Sequence, residues 1–396
     1  MLICGALSKG PCSVGVDGVS KDISATTECL IGMGACVSQT PGRIDVTSGV
    51  TAGGECDVCC GESGSTLRFL IPVAAALGKT VRFRMEGLLS KRPLDALTNE
   101  LMRHGAVISR DNDILTVTGA LEPGDYRIAG DISSQFISGL LFALPLLGGD
   151  SNIIITGKRE SVSYIGMTLD ALGKSGIVVR ETPEGYFVAG NQTYRTTGYC
   201  EAERDWSGAA FFLCMGAMSE KGITVKGMNM SSCQGDMKVM NILKEFGADI
   251  TVSDSSGHLC DVTIKKGECR PCEIDAGDIP DLVPVLSVLM CAAKGRSVIR
   301  NAQRLRFKES DRLSSTSEMI RALGGDVRVT EDGLEIMGTG RLGSGTIDAV
   351  NDHRIAMSAA TAAGICSGDV VIPDAQCADK SYPGFFEDLF MLSVDK

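Results

Sequence analysis

The sequence predicts an α/β protein of two domains built from six copies of one unit, and three observations predict it. First, an apolar run of helix length, closed by a glycine and followed by a short strand, recurs six times. Its closing glycines are Gly10, Gly78, Gly149, Gly222, Gly295 and Gly368, spaced 68 to 73 residues apart. Second, between these runs a more amphipathic helix ends in a glycine turn that feeds a strand. Its copies are Gly34-Ala35-Cys36-Val37, Gly105-Ala106-Val107-Ile108, Gly176-Ile177-Val178-Val179, Gly247-Ala248-Asp249-Ile250 and Gly325-Asp326-Val327. Self-similarity at a fixed period marks a repeated structural unit, here longer than the usual solenoid repeat. Third, 396 residues suffice for about two domains with full cores, so six units divide three and three, as 1–203 and 204–396.

Taken in order, the elements justify themselves by their openings. The first apolar helix, 1–7, has no polar loop before it. Each later one does. The loops read Gly61-Glu62-Ser63-Gly64-Ser65-Thr66, Gly130-Asp131-Ile132-Ser133-Ser134-Gln135, Glu203-Arg204-Asp205-Trp206-Ser207, Ala276-Gly277-Asp278-Ile279-Pro280-Asp281 and Val350-Asn351-Asp352-His353-Arg354. Ser, Asp and Asn there are good N-caps. The helices behind them are apolar on nearly all sides, which implies burial. A buried helix opening on a cleft presents free N–H groups and partial positive charge, a ready anion site. Arg354, His353, Gln135 and Asp281 exceed what capping needs.

Basic residues stand at the starts of other elements. Lys91-Arg92-Pro93-Leu94-Asp95 follows a strand at 80–85 and precedes an amphipathic helix at 95–104; Arg306-Phe307-Lys308-Glu309-Ser310-Asp311-Arg312 precedes a helix at 314–323; Lys380-Ser381-Tyr382-Pro383 opens the last helix, 384–392. Arginine's planar fork suits carboxylate and phosphate. Taken one by one, such clusters read as solvated faces. Their repeated placement makes ligand binding the better joint explanation.

Composition excludes several classes. A net charge of −11 argues against non-specific nucleic-acid binding, which rests on phosphate neutralisation, but leaves small anionic ligands open. No apolar run reaches the roughly 18 to 20 residues of a membrane span; 136–147 is the longest candidate. The N-terminus carries no basic region before its apolar stretch, so no signal peptide is expected and the chain reads as cytoplasmic. Sixteen cysteines are scattered, and the pairs Cys56/Cys59 and Cys269/Cys272 are too far apart in sequence for an ordinary zinc site. Reduced thiols and no metal are expected.

The strings 61–68, Arg92-Pro93-Leu94, Asp131 to Gln135, Asp278 to Asp281, Lys308-Glu309-Ser310-Asp311-Arg312, Asn351-Asp352-His353-Arg354 and Lys380-Ser381-Tyr382-Pro383 resemble, in order and spacing, the 3-phosphoshikimate 1-carboxyvinyltransferase (EPSP synthase) family. The resemblance covers essentially the whole chain. It implies an inverted barrel of six βαβαββ repeats, three per domain, with the active site in the interdomain cleft. It also implies enolpyruvyl transfer from phosphoenolpyruvate to the 5-hydroxyl of shikimate 3-phosphate through a tetrahedral adduct, with no metal or organic cofactor; a monomer is expected because the cleft is built within one chain.

By motif position the resemblance assigns Ser133, Ser134, Ser161 and Tyr164 to shikimate 3-phosphate, Gln135 to both substrates, and Lys308 to a shikimate hydroxyl. It assigns Gly64, Arg92, Arg312, Arg354 and Lys380 to phosphoenolpyruvate or its phosphate. Asp281 takes the 5-hydroxyl proton, and Glu309 moves protons at the methylene carbon. Glu62 stands where the family typically has Asn, turning outward or pairing with Arg92, and Arg304 stands where it often has Asn or His. The family's Lys-Ser-x-x-x-Arg loop and the strand before it have no counterpart after Met1, so the chain is expected to lack them. Two alternatives stand beside this reading: UDP-N-acetylglucosamine enolpyruvyl transferase, which shares the chemistry, and a non-catalytic anion-binding homologue.

Overall fold

A computed structural model describes residues 1–256 and 259–394. The chain forms two compact units, Met1–Ala202 and Glu203–Lys396. Each has its own apolar core.

The repeat is plainest in the middle of the first unit. Strand Glu55–Cys59 leads into helix Gly64–Ala76, strand Thr80–Arg84, helix Asp95–Arg103 and the hairpin Val107–Asp111 and Ile114–Thr118. The first and second strands pair in parallel, and the hairpin adds antiparallel to the second. The next copy runs from Asp125–Ala129 through helices Ser134–Ala143 and Val162–Lys174 to the hairpin Val179–Thr182 and Gly185–Val188, with the same order of pairing. The opening copy begins with helix Leu2–Leu7, whose N-terminus has no side-chain cap. Its strand Cys12–Gly15 takes its parallel neighbour from the far end of the unit, Tyr199–Glu201. All three sheets of this unit thus have four strands.

The second unit repeats the pattern with strands Glu273–Asp275 and Lys294–Arg300, helices Val283–Ala292 and Arg312–Ala322, and the hairpin Asp326–Val329 and Leu334–Thr339. Its other two sheets, among the described residues, have three strands (Ile223–Asn229, Leu259–Lys265, Asp249–Ser256) and two (Gly345–Thr346, Val370–Val371).

The first helix of each repeat is buried because it lacks a polar face. Residues 283–291 of Val283–Ala292 are all buried, and Trp206–Met218 leaves only Met215 partly open. Such helices contact one another closely. In the first unit a β-carbon at Gly139 would strike the Arg68 carbonyl, so glycine there permits helices Gly64–Ala76 and Ser134–Ala143 to approach. No described helix is long and apolar enough to cross a membrane.

Candidate active site

In the first unit the site grows from the N-termini of the buried helices. Ser63 caps Gly64–Ala76 by accepting from the Thr66 amide, and Ser133 caps Ser134–Ala143 by accepting from the Gln135 amide at 3.3 Å. Arg68, 8% exposed, donates from Nη1 to Gln135 Oε1 at 2.7 Å and lies over the Phe136 ring. Arg92, at the end of the turn Leu89–Lys91, lies against Gly64: a β-carbon there would sit 2.7 Å from Arg92 Nη1. Gly64, Arg92 and Gln135 are therefore one cluster, and Arg68, a basic residue of the 61–68 string, ties it together.

Ser161 joins the same neighbourhood through the backbone. The Glu160 amide donates to the Gly130 carbonyl, setting 158–161 beside the loop that carries Ser133 and Ser134. Ser161 has φ of +52° and starts helix Val162–Lys174, which Ser138 and Thr168 lock to Ser134–Ala143 by a shared 2.7 Å hydrogen bond. Tyr164 stands one turn into that helix, half-buried. Glu62 packs over Gly87, and its carboxylate would collide with any side chain there.

In the second unit a single guanidinium organises the site. Arg312, 1% exposed, begins helix Arg312–Ala322 and donates to three carboxylates from three elements. The distances are 2.8 Å from Nε to Asp352 Oδ2, 2.7 Å from Nη1 to Asp281 Oδ1 and 2.6 Å from Nη2 to Glu309 Oε2. Lys308 donates to Asp281 at 3.2 Å, and Lys380 lies 3.8 Å from Glu309. Lys380 ends the turn Ala375–Lys380, fixed in place where the Tyr382 ring packs on Gly208 and Phe212. Asp352 also caps helix His353–Ala362, accepting from the Arg354 amide at 2.9 Å, and receives Ser310 Oγ at 2.9 Å. Val350 and Asn351 both have positive φ, strained for a β-branched valine, and this turn aims Asp352 inward. Arg304, in the turn Gln303–Phe307, donates from Nη2 to the Gly277 carbonyl at 2.6 Å.

Electrostatics follow from this packing. Burial pushes the Asp281 carboxyl up, but Lys308, Arg354 and Arg312 together hold it well below the usual carboxylate range. Burial likewise opposes the ionised Asp352, and Arg312 overrides it. His353, buried beside Arg354 and Arg312, is driven down to about 3 and is neutral at physiological pH. Arg354 stays charged despite burial because Asp281 stands beside it, and it lies 5.8 Å over the Phe211 ring.

The capping expected of these loops is present: Ser63, Ser133, Asp205 and Asp352 each accept from one or two amides at the start of a buried helix. Val283–Ala292 is instead preceded by the turn Pro280–Leu282, and Asp281 lies within that turn rather than capping.

The sequence matches the family EPSP synthase (3-phosphoshikimate 1-carboxyvinyltransferase) over residues 1–389. The chain belongs to the EPSP synthase family. It is 40% identical over 391 residues to the 3-phosphoshikimate 1-carboxyvinyltransferase of Clostridium kluyveri, covering 98% of this chain and 90% of that one. To the Brachyspira hyodysenteriae protein of the same name it is 42% identical over 328 residues, 82% of this chain and 77% of the relative. The solved EPSP synthase of Acinetobacter baumannii superposes with a TM-score of 0.80 at 25% identity, covering 98% of this chain and 91% of that one. The two-domain α/β fold is thus the EPSP synthase fold, and the chain is an enzyme of the transferase class. Neither the UDP-N-acetylglucosamine alternative nor the non-catalytic one gains support from these relatives.

Among the described residues no group of three or more His, Cys, Asp or Glu could hold a metal ion. Two residues outside the expected set have places in the site, Arg68 and Asp352. Both were visible only as parts of motif strings, since a capping Asp and a helical Arg are ordinary in sequence.

Proposed function

We propose that this chain transfers the enolpyruvyl group of phosphoenolpyruvate to the 5-hydroxyl of shikimate 3-phosphate and releases phosphate, as a monomer in the cytoplasm. The observation that carries this reading is the Arg312 knot. It gathers two candidate proton carriers, Asp281 and Glu309, among four cations, Lys308, Arg312, Arg354 and Lys380, and these cations keep Asp281 ionised. Addition requires a base for the hydroxyl and an acid for the methylene carbon, with charge neutralised at phosphate and carboxylate.

In the unliganded protein Asp281 is a weak base, because its cations stabilise the carboxylate. An incoming phosphate or carboxylate competes for Lys308 and Arg354, and Asp281 regains basicity as they turn to the ligand. Asp281 then takes the hydroxyl proton as oxygen bonds to the enol carbon, while Glu309, protonated beforehand, delivers a proton to the methylene carbon. Elimination reverses the second transfer: Glu309 removes a proton from the new methyl group as the carbon–oxygen bond to phosphate breaks. In the first unit Ser133, Ser134, Ser161 and Tyr164 bind shikimate 3-phosphate, Gln135 touches both substrates, and Gly64 and Arg92 face phosphoenolpyruvate. In the second, Lys308 binds a shikimate hydroxyl, and Arg312, Arg354 and Lys380 receive phosphoenolpyruvate or phosphate.

Phosphate release from the two substrates tests this. Asp281→Asn should keep shikimate 3-phosphate affinity within about tenfold and lower turnover by about 10²-fold or more. Arg354→Ala should weaken phosphoenolpyruvate by a charge-assisted contact of roughly 1.5–3 kcal/mol. Equal loss of affinity for both ligands in both variants would overturn these roles.

A further inference from the structure

Asp236 has no part in the chemistry above, yet it is a carboxylate in the interior. It lies in the turn Gly235–Lys238, ahead of helix Val239–Phe246, and is 4% exposed. Among the described residues its Oδ1 accepts no hydrogen bond. Arg354 is equally buried, at 7% exposed, and its Nε and Nη1 donate to nothing among the described residues. A buried orphan acceptor and a buried orphan donor each cost free energy, and native interiors rarely keep both without a reason.

Each acts electrostatically on the other, and both lie against the first turns of one helix. Arg354 lies over Phe211, and Asp236 lies beside Ser207, both on the first turns of Trp206–Met218. The groups around Asp236 are Asp281 from the turn Pro280–Leu282, Arg354 from helix His353–Ala362, and Ser207 with Asp205 from the start of Trp206–Met218. On its own turn, Lys238 is engaged with Asp278 at 2.6 Å. Arg354 is the cation that acts most strongly on Asp236 among the described residues, so the charge state of Asp236 follows what Arg354 binds.

We propose that Asp236 is a positioning residue that alternates with the substrate anion. Ionised, it neutralises and orients Arg354 while the anion site is empty. When a phosphate or carboxylate takes up Arg354, Asp236 accepts a proton from solvent and withdraws its charge. The assignment rests on the proposed anion-binding role of Arg354. Burial and the nearby Asp281 push the Asp236 carboxyl up to about 7, against the pull of Arg354, so the group stands ready to change state near neutrality. A second anion beside Arg354 pushes it further the same way, and binding must then take up protons by linkage.

Sulfate is the probe, because its own charge does not change between pH 6 and 8. Isothermal titration of the full chain in two buffers of different ionisation enthalpy should show net proton uptake at pH 7. Sulfate affinity should fall about fivefold from pH 6 to pH 8, the change expected when the bound anion raises a carboxyl at about 7 by about one unit. Asp236→Asn, isosteric and neutral, should abolish the uptake and hold affinity near the pH 6 value of the natural chain. A purely structural role for Asp236 would move stability without touching proton uptake. No uptake by the natural chain, or unchanged uptake in Asp236→Asn, overturns the inference; the first measurement needs no variant. Arg354→Gln separates the two readings. If it leaves sulfate affinity unchanged, the anion-site assignment of Arg354 fails; if it lowers affinity while Asp236→Asn behaves as the natural chain, only the role of Asp236 fails.

Discussion

Replacing Asp352 with alanine should destabilise the second unit by about 4 kcal/mol, the size expected for breaking a buried ion pair. Asp352 is 0% exposed and accepts two bonds from Arg312, at 2.8 and 3.2 Å. It also accepts one from Ser310 and one from the Arg354 amide. Removing the carboxylate leaves a 1% exposed guanidinium without one of its three counter-charges and strips the cap of His353–Ala362. The cap alone contributes about 1 kcal/mol. Asp281 and Glu309 still hold Arg312, which keeps the loss from running higher. Asp352→Asn retains a cap acceptor and one partner for Arg312, so about 2 kcal/mol should be lost. Urea unfolding followed by tryptophan fluorescence reads this directly. The single tryptophan, Trp206, is fully buried and lies in the second unit. Thermal midpoints of that transition should drop by roughly 8–16 °C for the alanine variant. A loss under about 1 kcal/mol would refute the reasoning, since it would mean that Asp281 and Glu309 satisfy Arg312 without Asp352.

Gly64→Ala should raise the KM for phosphoenolpyruvate several-fold with little change in stability, because the new methyl meets the movable end of Arg92 at 2.7 Å rather than backbone. Steady-state kinetics beside thermal unfolding checks it, and an unchanged KM would remove Arg92 from the site. The pH dependence of stability should have two limbs. Asp281 and Asp352 are held below their unfolded values, so their contribution is present above about pH 4 and is lost as pH falls through their folded values. Asp236 is raised to about 7, so its contribution is complete below its unfolded value and is lost as pH rises through 7. The Asp236 contribution should therefore fall between about pH 4 and pH 7 and level off above neutrality, and Asp236→Asn should flatten that limb in urea titrations.

The repeat was legible in sequence because it depends on local pattern. Apolar runs such as 283–291 carry no polar face and must be buried, and a serine or aspartate before such a run caps it almost anywhere. The sixfold glycine spacing states the order of elements without reference to any long-range contact. Motif strings single out Lys308, Glu309, Arg312 and Arg354, and the fold gathers them around Asp281. Other elements were less legible. The helix after Asp311 starts at Arg312 rather than at 314, because Asp311 caps it. Asp236 occupies the same station in its repeat as Arg92 and Lys308 do in theirs, ahead of the second helix, and repeat arithmetic could have found it.

What the sequence determined by itself is the set of elements, their order, and which helix starts carry charge, since each follows from neighbours a few residues apart. Only the tertiary structure decided the pairings. Arg312 selects Asp281, Glu309 and Asp352 from positions up to 40 residues away, and Arg68 selects Gln135 at 67. Whether a helix N-terminus offers its amides to a ligand or spends them on its own cap was likewise settled only in space. Periodicity records which face of an element is buried. It carries no record of which charge lies opposite, because that depends on how helices from different repeats pack, and in a low-dielectric interior that choice sets both pKa and reactivity.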